Sequence, residues 1–185
     1  NYTFYVPHDI KGLTKLMGGK KNFVNKLQMV FDKKYFDPTN EPDIAYPYLF
    51  SYFKGEEWRT QKTVKEILDK YYTVQNNGLP GNDDTGTLST WAMFSMMGFY
   101  PDCPGVPEYT LTAPVFDKIT IKLDPEFWGK DKLVIRKEGG DGYIDEAAIS
   151  NLECIEDGQY VKLYKAPEGM VGFIDRSSNK AIVGY

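Results

Sequence analysis

The stretch GLPGNDDTGTLSTWAMFSMMGFYPDCPGVPEY, Gly78 to Tyr109, divides the chain. Its middle places Leu88, Trp91, Ala92 and Phe94 at the spacing of a helix that is apolar enough to be buried. It opens on a loop of Gly, Pro, Asn and Asp. It closes on Pro101, Pro104 and Pro107, each of which lacks the amide donor that a continuing helix needs. A change of architecture is therefore expected between Pro101 and Pro107.

Upstream of that point the apolar residues keep helical time. Phe23, Leu27, Val30 and Phe31 form one stripe, and Val64, Ile67, Leu68, Tyr71 and Tyr72 form another. Gly18 and Gly19, the FDPTNEP turn, Gly55 and NNGLPGNDD punctuate the series into roughly five helical segments between Asp9 and Phe99. Downstream the pattern changes to short alternating runs, YTLTAP, DKITIKL, KLVIRK, YVKLYK and VGFIDR, set off by Gly, Asp and Pro. No βαβ alternation calls for a parallel sheet, so an antiparallel, sandwich-like layer is expected. The reading is an α+β chain, with a helical portion over residues 1–106 and a β-rich one over 107–185.

At 185 residues and 42% hydrophobic content the chain can bury a sizeable core, as one or two domains of about 100 residues each. Twenty-two basic against twenty-six acidic residues give a net charge of -4, and no basic run lies along a candidate helix. The footprint of a nucleic-acid binder is absent. Nor does any apolar run approach the ~20 residues that span a bilayer. Cys103 and Cys154 are too few for a disulfide framework and too far apart for a zinc site; pairing with each other and two separate buried thiols both stay open. Since the chain opens on Asn1 without a Met, directly on NYTFYV, it reads as a piece of a longer polypeptide.

Three places carry chemistry. The first is Asp83-Asp84 in GNDDTG. Asp84-Thr85-Gly86-Thr87 spells the loop of an aspartic protease, but that chemistry needs two such loops sharing one proton, and only one is present, with the wrong flanks. At the start of a helix, free N–H groups favour an ionised carboxylate, which serves either as an N-cap or as a general base. A cap needs one acid, and here there are two. The second is Asn40, Glu41 and Asp43 around Pro42, an oxygen cluster that suits a hard cation such as calcium, although Asn-Glu-Pro before a helix is more often a capping turn with Pro in the first helical turn. The third is His8 beside Asp9, the only histidine, which reads as a structural hydrogen-bonding pair unless a nucleophile accompanies it. No GxSxG elbow does so.

In this order, YVPHDIKGLTKLMGG, NEPDIAYPYLFSYF, WRTQ, GLPGNDDTGTLSTWAMFSMMGFYP and YTLTAPVFDKITI resemble glycoside hydrolase family 92, the calcium-dependent, exo-acting α-mannosidases. The match runs from about Asn1 to Ile121. It implies the final helices of an (α/α)6-type barrel, followed by a β-sandwich-like layer. It also implies inversion at the anomeric carbon, with a general acid on one side of the bond and a base that activates water on the other.

Position by position, the resemblance makes Asp84 the base and Asp83 its neighbour. His8, Asp9 and Asn82 fall among the substrate-binding residues, and Asn40 and Glu41 at the calcium site. The general acid is a Glu expected before Asn1, so the 185-residue chain alone is expected to be inactive. Many members carry histidines after Asn-Glu-Pro, where this chain has Asp43-Ile44-Ala45, so linkage specificity is not read from it. The implied partners are a mannose-containing glycan and the preceding part of the same polypeptide, in a bacterial protein that is secreted, periplasmic or on the cell surface. The alternative is a non-catalytic carbohydrate-binding or structural module of the same ancestry.

Overall fold

The computed structural model describes residues 2–106, 109–128 and 131–138, and the backbone of strands at 151–156, 159–161, 165–166 and 170–171. A single 3-10 turn, Tyr2–Phe4, precedes helix α1, Ile10–Leu16. Gly18 and Gly19, at φ of 85° and 101°, then turn the chain into α2, Lys20–Asp32. A longer 3-10 helix, Tyr46–Tyr52, leads to α3, Glu57–Tyr71, and α4, Thr87–Met97, follows the Gly-rich loop. These are the helical segments that the periodicity predicts, with one difference: YPYLFSY is a 3-10 helix. Six of its seven residues are buried, because it lies between two cores and shows an apolar face to each.

Those two cores explain the sequence stripes. Phe23, Val24 and Leu27 of α2 pack with Phe4, Ile10, Tyr46, Leu49 and Phe50. Val64, Ile67 and Leu68 of α3 pack with Leu88, Trp91 and Ala92 of α4 and with Ile44 and Tyr48. The 3-10 helix thus supplies Tyr46, Leu49 and Phe50 to one cluster and Tyr48 to the other. Full burial of each such side chain contributes about 1.5–3 kcal/mol.

Helix α4 stops at Gly98, whose amide donates back to the carbonyls of Phe94 and Ser95. Only glycine suits this position. Its φ is 89°, and an added Cβ would lie 2.9 Å from the Pro114 nitrogen. Strand β1, Phe99–Tyr100, then pairs antiparallel with β2, Thr110–Leu111. The proline-rich turn accordingly joins two strands, and the chain returns onto α4: the Thr112 amide donates to the Gly98 carbonyl and that of Val115 to Met96.

Beyond it, β3 (Lys118–Lys122), helix α5 (Pro125–Trp128), β4 (Lys132–Glu138), β5 (Asn151–Glu156) and β6 (Gln159–Val161) follow in order. The four strands form one antiparallel sheet in sequence order, and β7 (Lys165–Ala166) pairs antiparallel with β8 (Met170–Val171). The antiparallel, β-rich character of this half is as expected. Pro107 and the part of VGFIDR beyond Val171 lie outside the described residues. Cys103 is buried, and Cys154 sits on β5 opposite Ile135 and Val161.

Candidate functional site

The two adjacent acids do different work. Asp83 accepts hydrogen bonds from the Ser89 amide at 2.9 Å and from the Ser89 hydroxyl, so its carboxylate caps the first turn of α4. Those donors, with the Leu88 amide, hold its carboxyl below the usual aspartate value. Asp84 is exposed and, among the described residues, no donor reaches its carboxylate. Its carbonyl is occupied instead, accepting from the Thr85 and Thr87 hydroxyls, each at 2.7 Å.

Between Asp84 and the helix the backbone is irregular. Thr85 has φ 53° and ψ 24°, and Gly86, the N-cap of α4, has φ 80°. Left-handed backbone is natural for Gly86. At a β-branched residue such as Thr85 it is an outlier costing about 1–3 kcal/mol, of the kind that collects at functional sites. This kink separates the two acids, leaving Asp83 on the helix end and Asp84 on the open loop. Asn82 is exposed on the same loop.

The Asn-Glu-Pro turn is built around a buried carboxylate. Asp43 has 0% exposure; its Oδ2 accepts the Asp37 amide at 3.0 Å and its Oδ1 accepts from Asn40 Nδ2 at 3.1 Å. Burial pushes its carboxyl above the ordinary value, with the two hydrogen bonds acting the other way. Of the three oxygen-bearing residues around Pro42, Asp43 therefore points inward and serves the turn. The proline at the start of the following helix is Pro47 rather than Pro42. Asn40 is half-buried and Glu41 exposed, and among the described residues nothing is hydrogen-bonded to Asn40 Oδ1 or to the Glu41 carboxylate.

The fold brings the two motifs side by side. An added Cβ on Gly81 would lie 2.9 Å from both Cβ and Cγ2 of Thr39, so the Asp84 loop rests on the residue before Asn40. Trp91 of α4, 1% exposed, donates its indole N–H to the Ile44 carbonyl at 2.8 Å, tying the same two segments from below. The Tyr46 hydroxyl in turn accepts from the Phe4 amide at 3.2 Å, linking this turn to the stretch that leads to His8. Asp9 is the N-cap of α1 and accepts the Gly12 amide at 2.8 Å, whereas His8 is exposed. Two cavities, of about 290 and 90 Å³, are lined by other residues, and His8, Asp9, Glu41, Asn82 and Asp84 are exposed.

Among the described residues no three Asp, Glu, His or Cys side chains form a group able to hold a metal ion. Asn40 Oδ1 and Glu41 are hard oxygen donors, right in kind for calcium but too few for its six to eight ligands. Water, substrate hydroxyls or other residues would have to complete the set. The sequence reading missed the Trp91 tether and the Gly81–Thr39 contact. The first had a signal, since a buried indole N–H usually finds a partner; the second had none.

Comparison with known proteins gives the class. Residues 1–165 match the glycosyl hydrolase family 92 catalytic domain, and the chain belongs to that family. A family GH92 α-mannosidase from Bacteroides thetaiotaomicron, solved in complex with mannoimidazole, is 26% identical with a TM-score of 0.68, covering 93% of this chain and 24% of that one. An inverting GH92 mannosidase from Bacteroides thetaiotaomicron VPI-5482 is 27% identical with a TM-score of 0.67, over 93% and 26% of the respective chains. An uncharacterized secreted glycosidase of Arthroderma benhamiae is 33% identical over 119 residues, which is 64% of this chain and 15% of that protein. The chain therefore spans about a seventh to a quarter of the length of these relatives. Among the described residues no helix is long and apolar enough to cross a membrane.

Proposed function

We propose that this chain is the carboxy-terminal part of an inverting, calcium-dependent α-mannosidase that removes terminal α-linked mannose from glycans outside the cytoplasm. Residues 1–106 would be the last helices of an (α/α)6-type barrel, and residues 107–185 a β-sandwich-like layer closing it. One observation carries the reading. Asp83 is taken up by the end of α4, which leaves Asp84 with free lone pairs on an open loop, next to the turn that carries Asn40 and Glu41. Family membership and mannosidase relatives at 26% and 27% identity support it.

In this mechanism Asp84 takes a proton from the water that attacks the anomeric carbon as the glycosidic bond breaks. A carboxylic acid from the preceding part of the polypeptide protonates the leaving oxygen. Inversion sets the two carboxyls about 6.5–9.5 Å apart, room enough for that water. His8, Asp9 and Asn82 contribute to the sugar-binding surface. Asn40 Oδ1 and the Glu41 carboxylate would hold calcium, whose charge would orient the mannose hydroxyls.

The test is Asp84→Asn in the whole polypeptide, assayed on an aryl α-mannoside. The rate is expected to fall by roughly a hundredfold to ten-thousandfold, as for loss of a general base, while mannose binding persists. An unchanged rate removes Asp84 from the role. Turnover by the isolated 185-residue chain would show that the acid lies within it.

A further inference from the structure

The Asn-Glu-Pro turn contains a residue that the mechanism above leaves without a task. Asp43 is fully buried, and every polar atom on it is engaged. Its amide donates to the Asn40 carbonyl at 2.8 Å, its carbonyl accepts the Tyr46 amide at 2.8 Å, and its two carboxyl oxygens take Asn40 Nδ2 and the Asp37 amide. Because Asn40 Nδ2 donates to one of these oxygens, the amide turns its nitrogen inward and its oxygen outward.

The hold extends further. The Asp37 amide on the same carboxylate fixes the start of the turn. Asp37 Oδ1 in turn accepts from the Thr39 amide at 2.9 Å and from the Thr39 hydroxyl at 2.7 Å. Thr39 is the residue against which Gly81 of the Asp84 loop packs.

We propose that Asp43 is a positioning residue: its buried carboxylate presents Asn40 Oδ1 outward as a cation ligand and braces the Thr39 ledge beneath the Asp84 loop. The inference rests on the calcium reading of Asn40 given above. Outer partners that orient a metal ligand typically matter by about tenfold to a hundredfold in affinity. Asparagine in place of Asp43 keeps the shape but puts an NH2 group where one of two donors needs an acceptor. The result is either a turned Asn40 or an unpaired Asp37 amide.

The experiment uses the whole polypeptide and reads the calcium dissociation constant by titration calorimetry, alongside the melting temperature without calcium. Asp43→Asn should weaken calcium by about tenfold to a hundredfold. The exchange Asn40→Asp with Asp43→Asn reverses the polarity of the hydrogen bond, and a carboxylate at position 40 offers an oxygen in either orientation. It should return affinity to within about a factor of three of wild type. Asn40→Ala should bind least.

If Asn40→Ala loses calcium and Asp43→Asn keeps it, positioning is wrong while the calcium reading stands. If wild type and Asn40→Ala bind calcium alike, or neither binds, both fall together. Should Asp43→Asn not fold, the exchange variant decides, and a soluble exchange variant with calcium affinity as weak as that of Asn40→Ala overturns the proposal.

Discussion

Replacing Trp91 by Phe tests whether α4 and the Asn-Glu-Pro turn are one mechanical unit. The indole N–H that reaches the Ile44 carbonyl at 2.8 Å is lost, and a carbonyl orphaned beside a residue only 7% exposed costs about 1–3 kcal/mol. The smaller ring also leaves a void beneath Tyr72, which stacks on Trp91 at 5.3 Å, and beside Tyr48, whose ring meets it edge-on at 6.2 Å. Lost burial of that size contributes roughly 1–2 kcal/mol more. The sum, about 3 kcal/mol, is roughly a hundredfold in an opening equilibrium. Hydrogen exchange of the whole polypeptide, followed on peptides covering residues 40–52 and 84–100, is the assay. Both regions should lose protection together and by similar factors. If residues 84–100 open alone while 40–52 exchange at the wild-type rate, the indole bond does not couple them.

Three further outcomes are expected. Gly81→Ala puts a methyl 2.9 Å from two Thr39 atoms, so one loop has to shift; kcat of the whole enzyme should drop by on the order of tenfold to a hundredfold with the fold kept, and adding Thr39→Ser, which removes Cγ2, should recover part of the loss. A wild-type rate for Gly81→Ala would mean that this contact sets nothing. The Asp83 carboxyl is depressed in the folded chain, so its contribution is present above the unfolded value near 3.8 and is lost as pH falls through the lower folded value. The Ser89 amide signal should follow that titration, and Asp83→Asn should abolish it. On the alkaline side, burial raises the phenols of Tyr46 and Tyr100 to about 12, so their contribution is whole below pH 10 and is lost as pH rises toward 12. The tyrosinate ultraviolet band of these residues should appear with unfolding; ionisation near pH 10 in a folded chain would contradict their burial.

What the sequence disclosed follows from which signals are periodic. Helices α2 and α3 were legible because Phe23 and Leu27, or Val64, Ile67 and Leu68, repeat with the period of a helix that hides one face. The 3-10 form of Tyr46–Tyr52 was not, since a segment apolar on every side has no period to read and its geometry is set by the two cores it separates. Strand β1 escaped because two residues leave no alternation, whereas its partner β2 lies within the run YTLTAP. At the site, the acids were legible as letters and their assignments were not. Asp43 and Asp84 look alike in the sequence, and only the packing of Ile44 under Trp91 and the left-handed Thr85 turn one inward and leave the other outward.

That distinction bears on redundancy in the proposed mechanism. Of the four acids in the two motifs, Asp43 is committed to Asn40 and Asp37, and Asp83 to Ser89; Glu41 and Asp84 remain open. A neighbour one residue away would ordinarily be the first candidate to take over from a lost base. Asp83 is poorly suited to that, because the two Ser89 bonds that lower its carboxyl also make it a weaker base and anchor it to α4. Restoring activity to Asp84→Asn through Asp83 would require breaking the cap first, for instance with Ser89→Ala, which removes the hydroxyl donor while leaving the amide. A residual rate in Asp84→Asn that rises when Ser89→Ala is added would reveal Asp83 as the reserve base. A rate that stays flat would confine the chemistry to Asp84.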